Sequence, residues 1–342
     1  MSAARGATKR ALEMQQTDVK PRAGQTSVLT PHSSLGLLHY RPWRGEFHPP
    51  AWSVWPIARV ALAMILRRKI FWVLYGLGLT IFLVFFFGQY MLAWAETQLA
   101  EQNVSVAGFV SVRPQTWVRV FREIMKLNGT GEMYRNLFWY QGYMIMVVLA
   151  LAGSILVGND FQFGSLPFYL AKPLSPWHYL LGKCLAVGVF VNLMTTLPAI
   201  ILYVQYGLLD SWDYFVHDAH LFFGILAYGL VLTITMSLLL VATASWLRRT
   251  VPMIMAWTTV FFFFRVLAGA LVDGLHYPVR RRLIDLWNDM YVVGNYCLRV
   301  DLGSIRPQPQ PPLHEAAAVL GAVCLLCLIY LIRRIRAVEI VK

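Results

Sequence analysis

The chain has 342 residues, of which 58% are hydrophobic and only 14% charged, and its formal net charge at pH 7 is +13. The mean hydropathy of +0.54 is too high for a soluble domain, so the composition predicts an integral membrane protein. Residues 1–50 are the exception, because they combine Gly, Pro, Ser and Thr with basic side chains and lack the apolar segment of a signal peptide. We expect a disordered basic tail over residues 1–50 and a membrane domain over residues 51–342.

The segment WSVWPIARVALAMILRRK, residues 52–69, predicts a short amphipathic helix ahead of the first span. The bases Arg67, Arg68 and Lys69 at its end favour a helix that lies in the inner membrane surface, with these bases toward anionic lipid. The alternative is that the segment extends the first span. Five apolar residues fall on one face of the predicted helix: Ile57, Val60, Ala61, Met64 and Ile65.

Six later windows are apolar over the roughly 20 residues that a membrane-crossing helix needs. They are Ile70–Trp94, Phe138–Val157, Cys184–Gly207, Leu221–Leu247, Pro252–Val272 and Ala316–Ile332. We therefore expect an all-α polytopic membrane protein with six transmembrane helices, and Pro198 predicts a kink in the third. Between the last two windows, Pro278–Val293 repeats apolar residues at helical spacing and is expected to dip into the outer leaflet.

The basic residues are concentrated on one side of this six-span arrangement. The N-terminal segment, the stretch 159–183 and the C-terminal end hold most of the Lys and Arg. The positive-inside rule then places both termini in the cytoplasm and the chain in the cell membrane, the inner or plasma membrane. Charge distributed in this way records topology and contact with the lipid bilayer. It argues against a nucleic-acid partner.

The stretch NDFQFGSLPFYLAKPLSPWHYLLGK, residues 159–183, interrupts the apolar pattern between the second and third spans. Ser165 is a good N-cap and Pro173 ends any helix that begins there, so a short helix over Leu166–Ala171 is predicted. Ser175, with a proline directly after it, favours the start of the next helix. The short helix would present aromatic residues on the cytoplasmic face. An exposed apolar patch of this kind needs either lipid or a protein partner, and the sharp limits of the helix on both sides favour a partner.

Two polar side chains within the spans are candidates for a translocation path. Asn192 lies in the third window and Arg265 in the fifth. A charge at such a depth is costly unless it reaches the headgroups, pairs within the protein or faces a cavity. Snorkelling of Arg265 to the outer surface and an intramolecular pair are therefore the alternatives to a role in transport.

Enzyme motifs are missing from the sequence, which contains no G-x-S-x-G, no H-E-x-x-H and no G-x-x-x-x-G-K-[ST] phosphate loop. We therefore expect no catalytic residue, no cofactor and no metal in this chain. Two sets of residues leave a metal site open as an alternative. They are Asp213, His217 and His220, which can share one helical face, and the pair Cys324 and Cys327.

The stretch 159–183 resembles the signature loop of the permeases of ABC transporters of the second exporter type, the ABC-2 family. That pattern has an acidic residue, Gly-Thr-Leu four positions on, a basic residue before a proline, and Gly-Lys at the start of the next helix. It is matched here by Asp160, Gly164, Ser165, Leu166, Lys172, Pro173, Gly182 and Lys183. Asp160 and Ser165 replace the Glu and Thr usual in the family. The span layout extends the likeness over roughly residues 55–340.

The resemblance implies an ATP-driven exporter made of two six-span subunits, most simply a homodimer, each seated on a separate ABC ATPase subunit. ATP and Mg²⁺ would bind to that partner, and the loop would couple its motion to the spans. A membrane-embedded enzyme, a transporter without an ATPase and a membrane scaffold are the competing hypotheses. The residues expected at the ATPase contact are Asp160, Phe161, Phe163, Gly164, Ser165, Leu166, Phe168, Tyr169, Lys172, Pro173, Gly182 and Lys183.

Overall fold

The computed structural model of the chain describes residues 50–100, 126–158, 160, 175–247, 249–301, 303 and 307–339. Within these residues the chain is helical, with no strand. The tail expected over residues 1–50 lies outside this part of the chain except for Pro50, so that expectation stays a prediction.

Six helical segments are long and apolar enough to cross a membrane, as the hydropathy pattern predicts. Spans 1 to 6 are Lys69–Trp94, Gly131–Gly153, Pro176–Leu209, Ala219–Leu247, Thr250–Gly274 and Leu313–Ile335. In chain order the α-helices are α1 (Val54–Leu66), α2 (Lys69–Ala100), α3 (Gly131–Gly153), α4 (Pro176–Met194), α5 (Thr196–Leu209), α6 (Trp212–His217), α7 (Ala219–Leu247), α8 (Thr250–Thr258), α9 (Phe264–Gly269), α10 (Leu286–Cys297) and α11 (Leu313–Glu339). Shorter π-helical turns follow α3, α8 and α9, at Ser154–Gly158, Thr259–Phe263 and Ala270–Gly274.

Span 2 begins at Gly131, ahead of the start expected at Phe138. The polar residues in its first turns contact other parts of the protein, and a hydropathy window cannot detect such contacts. Arg135 is only 7% exposed, and Glu132 forms an ion pair with Lys126 at 3.0 Å. The helix therefore starts earlier than its apolar window.

α1 is a separate helix, which confirms the helix predicted ahead of the first span. The chain turns after α1 before span 1 begins, and α1 packs against the start of span 3. Val60 belongs to the predicted apolar face but not to the packed face. It is 53% exposed, because it lies about 100° around the helix from the centre of the packed face near Ala61. The buried residues of α1 are Ile57, Ala58, Ala61 and Ile65.

Span 3 is broken at Thr195, where α4 ends and α5 begins. Pro198 has no N–H to bond the carbonyl of Met194, and its ring crowds that carbonyl. The kink predicted from Pro198 is therefore confirmed. Just before the break, the carbonyl of Val191 accepts from both the Thr195 N–H and Thr195 Oγ1, the latter at 2.8 Å.

α10 covers the second half of the stretch Pro278–Val293, whose apolar spacing predicts a helix, and continues to Cys297. It lies alongside span 2 in the half of the protein away from α1. The ring of Trp287 packs against Gly142, halfway along span 2, and leaves no room for a Cβ there. A Cβ on Gly131, at the start of span 2, would come within 2.6 Å of the carbonyl oxygen of Leu298. α10 therefore runs antiparallel to span 2 over about 16 Å, between the middle of that span and its start.

The spans differ in how far they are buried inside the subunit. In their most apolar windows, 61% of the residues of spans 2, 3 and 4 are buried, against 17% for spans 1, 5 and 6. Spans 2 to 4 therefore form the core of the bundle. Spans 1, 5 and 6 leave most of their surface to lipid or to another subunit.

Candidate functional site

Three of the twelve residues expected at the ATPase contact are among those that the structure describes: Asp160, Gly182 and Lys183. They lie at the two ends of the predicted signature loop. The role of the other nine stays a prediction, because they fall outside the described residues. These nine are Phe161, Phe163, Gly164, Ser165, Leu166, Phe168, Tyr169, Lys172 and Pro173.

Asp160 and Lys183 join the two ends of the loop through a buried ion pair. Lys183 Nζ lies 2.6 Å from Asp160 Oδ2, and the Lys183 side chain is only 1% exposed. Lys183 Nζ also donates to the carbonyl of Leu156 at 2.5 Å, and the Tyr179 hydroxyl donates to Asp160 Oδ2 at 2.9 Å. We call Leu156, Asp160, Tyr179 and Lys183 the loop base.

Both charges of the loop base have partners in surroundings that exclude water. The ammonium contacts a carboxylate and a carbonyl, and the carboxylate accepts from an ammonium and a hydroxyl. Lys183 Nζ also lies 5.6 Å from the centroid of the Tyr179 ring, within cation–π range. Since a buried charge that loses its partner is strongly destabilising, spans 2 and 3 are held together at this point.

The local structure places each member of the loop base. Span 2 is followed by the π-helical turn Ser154–Gly158, which supplies the Leu156 carbonyl and ends two residues before Asp160. Single π-helical turns of this kind occur often at functional sites. On α4, Tyr179 and Lys183 are four residues apart and therefore lie on the same face of the helix.

α4 begins at the residues that the sequence predicts, with Ser175 as N-cap and Pro176 as its first residue. The Ser175 N–H donates to His178 Nδ1 at 3.3 Å, and Ser175 Oγ lies 2.6 Å from the same nitrogen. His178 thus takes the place that Glu has in a capping box. The sequence analysis missed His178 and Tyr179. Their spacing, three residues after Ser175 and four before Lys183, is the signal that could have found them.

Gly182 brings α1 directly against the loop base. A Cβ at this position would lie 2.8 Å from Ile57 Cβ and 3.1 Å from the carbonyl oxygen of Val54. Only glycine permits so close an approach of the two helices. Because Gly182 precedes Lys183 in the chain, α1 lies directly beside the loop base.

Asn192 ties span 3 to span 4. Its Nδ2 donates to the carbonyl of Gly188 at 2.8 Å and to Thr233 Oγ1 at 2.7 Å, and its Oδ1 accepts from Thr196 Oγ1 at 2.7 Å. The residue also lines an open, mainly apolar groove of about 610 Å³ between α4, α5 and α7. These bonds give Asn192 a structural role, and its place on a translocation path stays a prediction.

Arg265 stacks on aromatic rings of span 2. Its guanidinium carbon Cζ lies 4.4 Å from the ring centroid of Trp139 and 5.6 Å from that of Tyr143, which are cation–π distances. Arg265 Nη1 is buried and has no hydrogen-bond partner among the described residues. Of the alternatives considered for Arg265, the structure therefore shows the contact within the protein, in which the cation stacks on aromatic rings. A role in transport stays a prediction.

A buried acid on α10 escaped the sequence analysis, because an Asp in the first turn of a helix is ordinarily a solvated partner of the helix dipole. Asp289 is 0% exposed, and neither of its carboxylate oxygens has a hydrogen-bond partner among the described residues. Burial raises the pKa of Asp289 to about 8, and Asp285 contributes to the rise. Asp285 is the N-cap of α10 and accepts from two backbone N–H groups. The Asp289 carboxyl is therefore mostly neutral at pH 7.

Within the residues that the structure describes, no three or more His, Cys, Asp or Glu side chains come together in a group that could hold a metal ion. Asp213, His217 and His220 thus do not form the metal site that was the alternative for these residues. His217 Nδ1 lies 3.1 Å from the carbonyl oxygen of Asp213 in the same short helix.

A family model described as "ABC-2 family transporter protein" matches residues 55–332 of the chain. The matched region runs from α1 into the last span and includes the whole loop base. No curated protein matches the chain. The resemblance drawn from the loop residues is confirmed by the family match.

Proposed function

Since this chain belongs to the ABC-2 family of transporter proteins and is a multi-pass permease component of an ABC transporter, we propose that it is an exporter subunit driven by a separate ATPase. ATP and Mg²⁺ would bind to that partner chain. The partner would dock on the loop of residues 161–174, at the cytoplasmic side of the cell membrane.

The buried Asp160–Lys183 pair is the observation that carries this proposal. A loop with unconnected ends would absorb the push of a partner by bending. Here the two ends are joined at 2.6 Å, so a push on the loop reaches spans 2 and 3 together. The close contact at Gly182 passes the same displacement to α1.

ATP can drive such a switch only if its binding favours one arrangement of the complex over the other. The loop base itself performs no covalent chemistry in this scheme. Its contribution is stiffness, because a buried and fully partnered ion pair resists being pulled apart.

Two copies of the chain would form the complete membrane path. The low burial of spans 1, 5 and 6 supports this part of the proposal, since these helices have surface to share with a second subunit. Both termini of each copy would lie in the cytoplasm, as the distribution of basic residues favours.

Co-purification tests the docking of the ATPase. Phe168→Asp combined with Tyr169→Asp should abolish recovery of an ATPase with this chain, because two charges cannot be buried in an apolar contact without partners. The recovered ATPase is identified by mass spectrometry from a peptide that contains a phosphate loop. Membrane insertion of the variant should be unchanged.

A matched control places the same two charges at the opposite end of the bundle. Trp212 and Val216 are 79% and 76% exposed on α6, so Trp212→Asp combined with Val216→Asp should leave the complex intact. If the ATPase is recovered equally with the loop variant and with this control, the docking surface is misplaced.

Labelling tests the orientation independently of the partner. A cysteine introduced at Ser165 should react with a membrane-impermeant maleimide only after the cells are opened. Reaction in intact cells would place the loop outside and contradict the proposed coupling.

A further inference from the structure

A cleft of about 360 Å³ lies beside the turn between α1 and span 1. Its walls come from the end of α1, the start of span 1, the end of span 2 and the first residue of span 5. The cleft belongs neither to the loop base nor to the groove at Asn192.

The two ends of the cleft differ in chemistry. Arg68, in the turn after α1, and Thr250, at the start of α8, line it where the helices end. Deeper in, the lining is apolar and follows the helices for about 10 Å, along Phe71 and Leu74 of span 1 and along Leu151 of span 2. A ligand that matches this surface has a polar head and an apolar tail.

Arg68 lines the cleft, and both of its neighbours in the chain and the residue before Thr250 are also basic. Arg67, Arg68 and Lys69 are exposed, and none of them forms an ion pair or a side-chain hydrogen bond with another described residue. Arg249 is also exposed, directly before Thr250. The positive end of the α8 dipole adds to the potential at the same place.

We propose that this cleft binds one anionic phospholipid, with its phosphate at Arg68 and an acyl chain between Phe71 and Leu151. A free phosphate ion would leave the apolar walls without a partner, and a neutral lipid would leave the charge of Arg68 uncompensated. The lipid would come from the leaflet on the side of α1, where anionic lipids attract basic residues.

The position of the cleft gives the bound lipid a role. Ile155 lines the cleft, and the next residue, Leu156, supplies the carbonyl that accepts from Lys183 in the loop base. An occupied cleft would therefore brace the end of span 2 against the turn of α1. This inference rests on the position of the chain in the membrane and does not depend on the ATPase partner.

Lipid binding to the purified full chain tests the proposal. Native mass spectrometry would count the dioleoyl phosphatidylglycerol molecules retained per chain, and melting curves would give the apparent affinity. Removal of any basic residue near a membrane surface weakens attraction of anionic lipid about fivefold. We expect Arg68→Gln to weaken the affinity at least tenfold and to remove one retained lipid. Arg59→Gln makes the same charge change at an exposed position of α1 outside the cleft and should keep that lipid.

A second variant addresses the apolar part of the cleft without altering charge. Ala152 lines the cleft, and Ala152→Phe should fill it and displace the retained lipid. Equal effects of Arg68→Gln and Arg59→Gln would overturn the proposal in favour of diffuse attraction. Equal binding of dioleoyl phosphatidylcholine would also overturn it. If inorganic phosphate stabilised the chain as much as the lipid does, the proposal would also be overturned, because the cleft would then bind only an ion.

Discussion

Lys183→Met would leave the Asp160 carboxylate buried, with the Tyr179 hydroxyl as its remaining contact in the loop base. Removal of one partner from a buried ion pair costs about 3–5 kcal/mol. The Lys183 side chain is 1% exposed, so water cannot replace the lost ammonium. We expect the melting temperature of the purified chain to fall by on the order of 10 °C.

The double variant Asp160→Asn with Lys183→Met separates the charge from the shape of the site. With both charges gone, no unpaired ion stays buried, so the double variant should recover most of the lost stability. The interaction energy from the cycle should be about 2 kcal/mol or more. Thermal unfolding of the wild type, both single variants and the double variant in one detergent provides this number.

A functional readout distinguishes stiffness from simple stability. The double variant keeps the fold but lacks the link between the ends of the loop. It should therefore retain the partner ATPase and lose the ATP-dependent change in labelling of cysteines introduced into the spans. Single variants that each cost less than about 1 kcal/mol and add up in the double variant would refute the reasoning, because exposed and weak ion pairs behave in that way.

Three further predictions concern single side chains, and thermal unfolding checks each of them. Gly182→Ala should cost about 1–3 kcal/mol, because the added Cβ pushes α1 away, whereas Gly76→Ala, which meets nothing within 4 Å, should not destabilise the chain. Asn192→Leu should cost about 1–2 kcal/mol through its lost interhelical hydrogen bonds, and an unchanged melting temperature would contradict the role assigned to it. Because the pKa of Asp289 is raised from 3.8 to about 8 in the folded chain, the proton it holds stabilises the fold at low pH, and this contribution is lost as pH rises through 8. The loss begins above the unfolded pKa, so wild-type stability should fall by about 1.4 kcal/mol per pH unit between pH 5 and 7 and level off above pH 8. Asp289→Asn should remove this slope, and Asp213→Asn, at an exposed position, should leave it in place.

The span layout could be predicted from the sequence because lipid requires long apolar helices with internally bonded backbones. The predicted start of span 2 lay too far along the chain, at Phe138, because Arg135 is buried against protein and not exposed to lipid. Nor does hydropathy reveal which apolar residues of α1 face a neighbouring helix, so the exposure of Val60 was not predicted. Contacts between helices decide both cases, and a single sequence does not specify them.

The sequence predicted which residues belong to the candidate site, but not how their side chains are arranged. Asp160 and Lys183 stood out as the ends of the resembling loop. The spacing of these residues does not predict the ion pair between them, because the pair depends on how the chain folds back between spans 2 and 3. Tyr179 went unnoticed because an aromatic residue at the start of a span ordinarily indicates a membrane interface.

The three best-buried spans are also consecutive in the chain, from Gly131 to Leu247. They consequently leave the ribosome one after another, and the centre of the bundle can assemble in the bilayer before the last span, Leu313–Ile335, has entered it. The remaining C-terminal helices would then close over a structure that already exists.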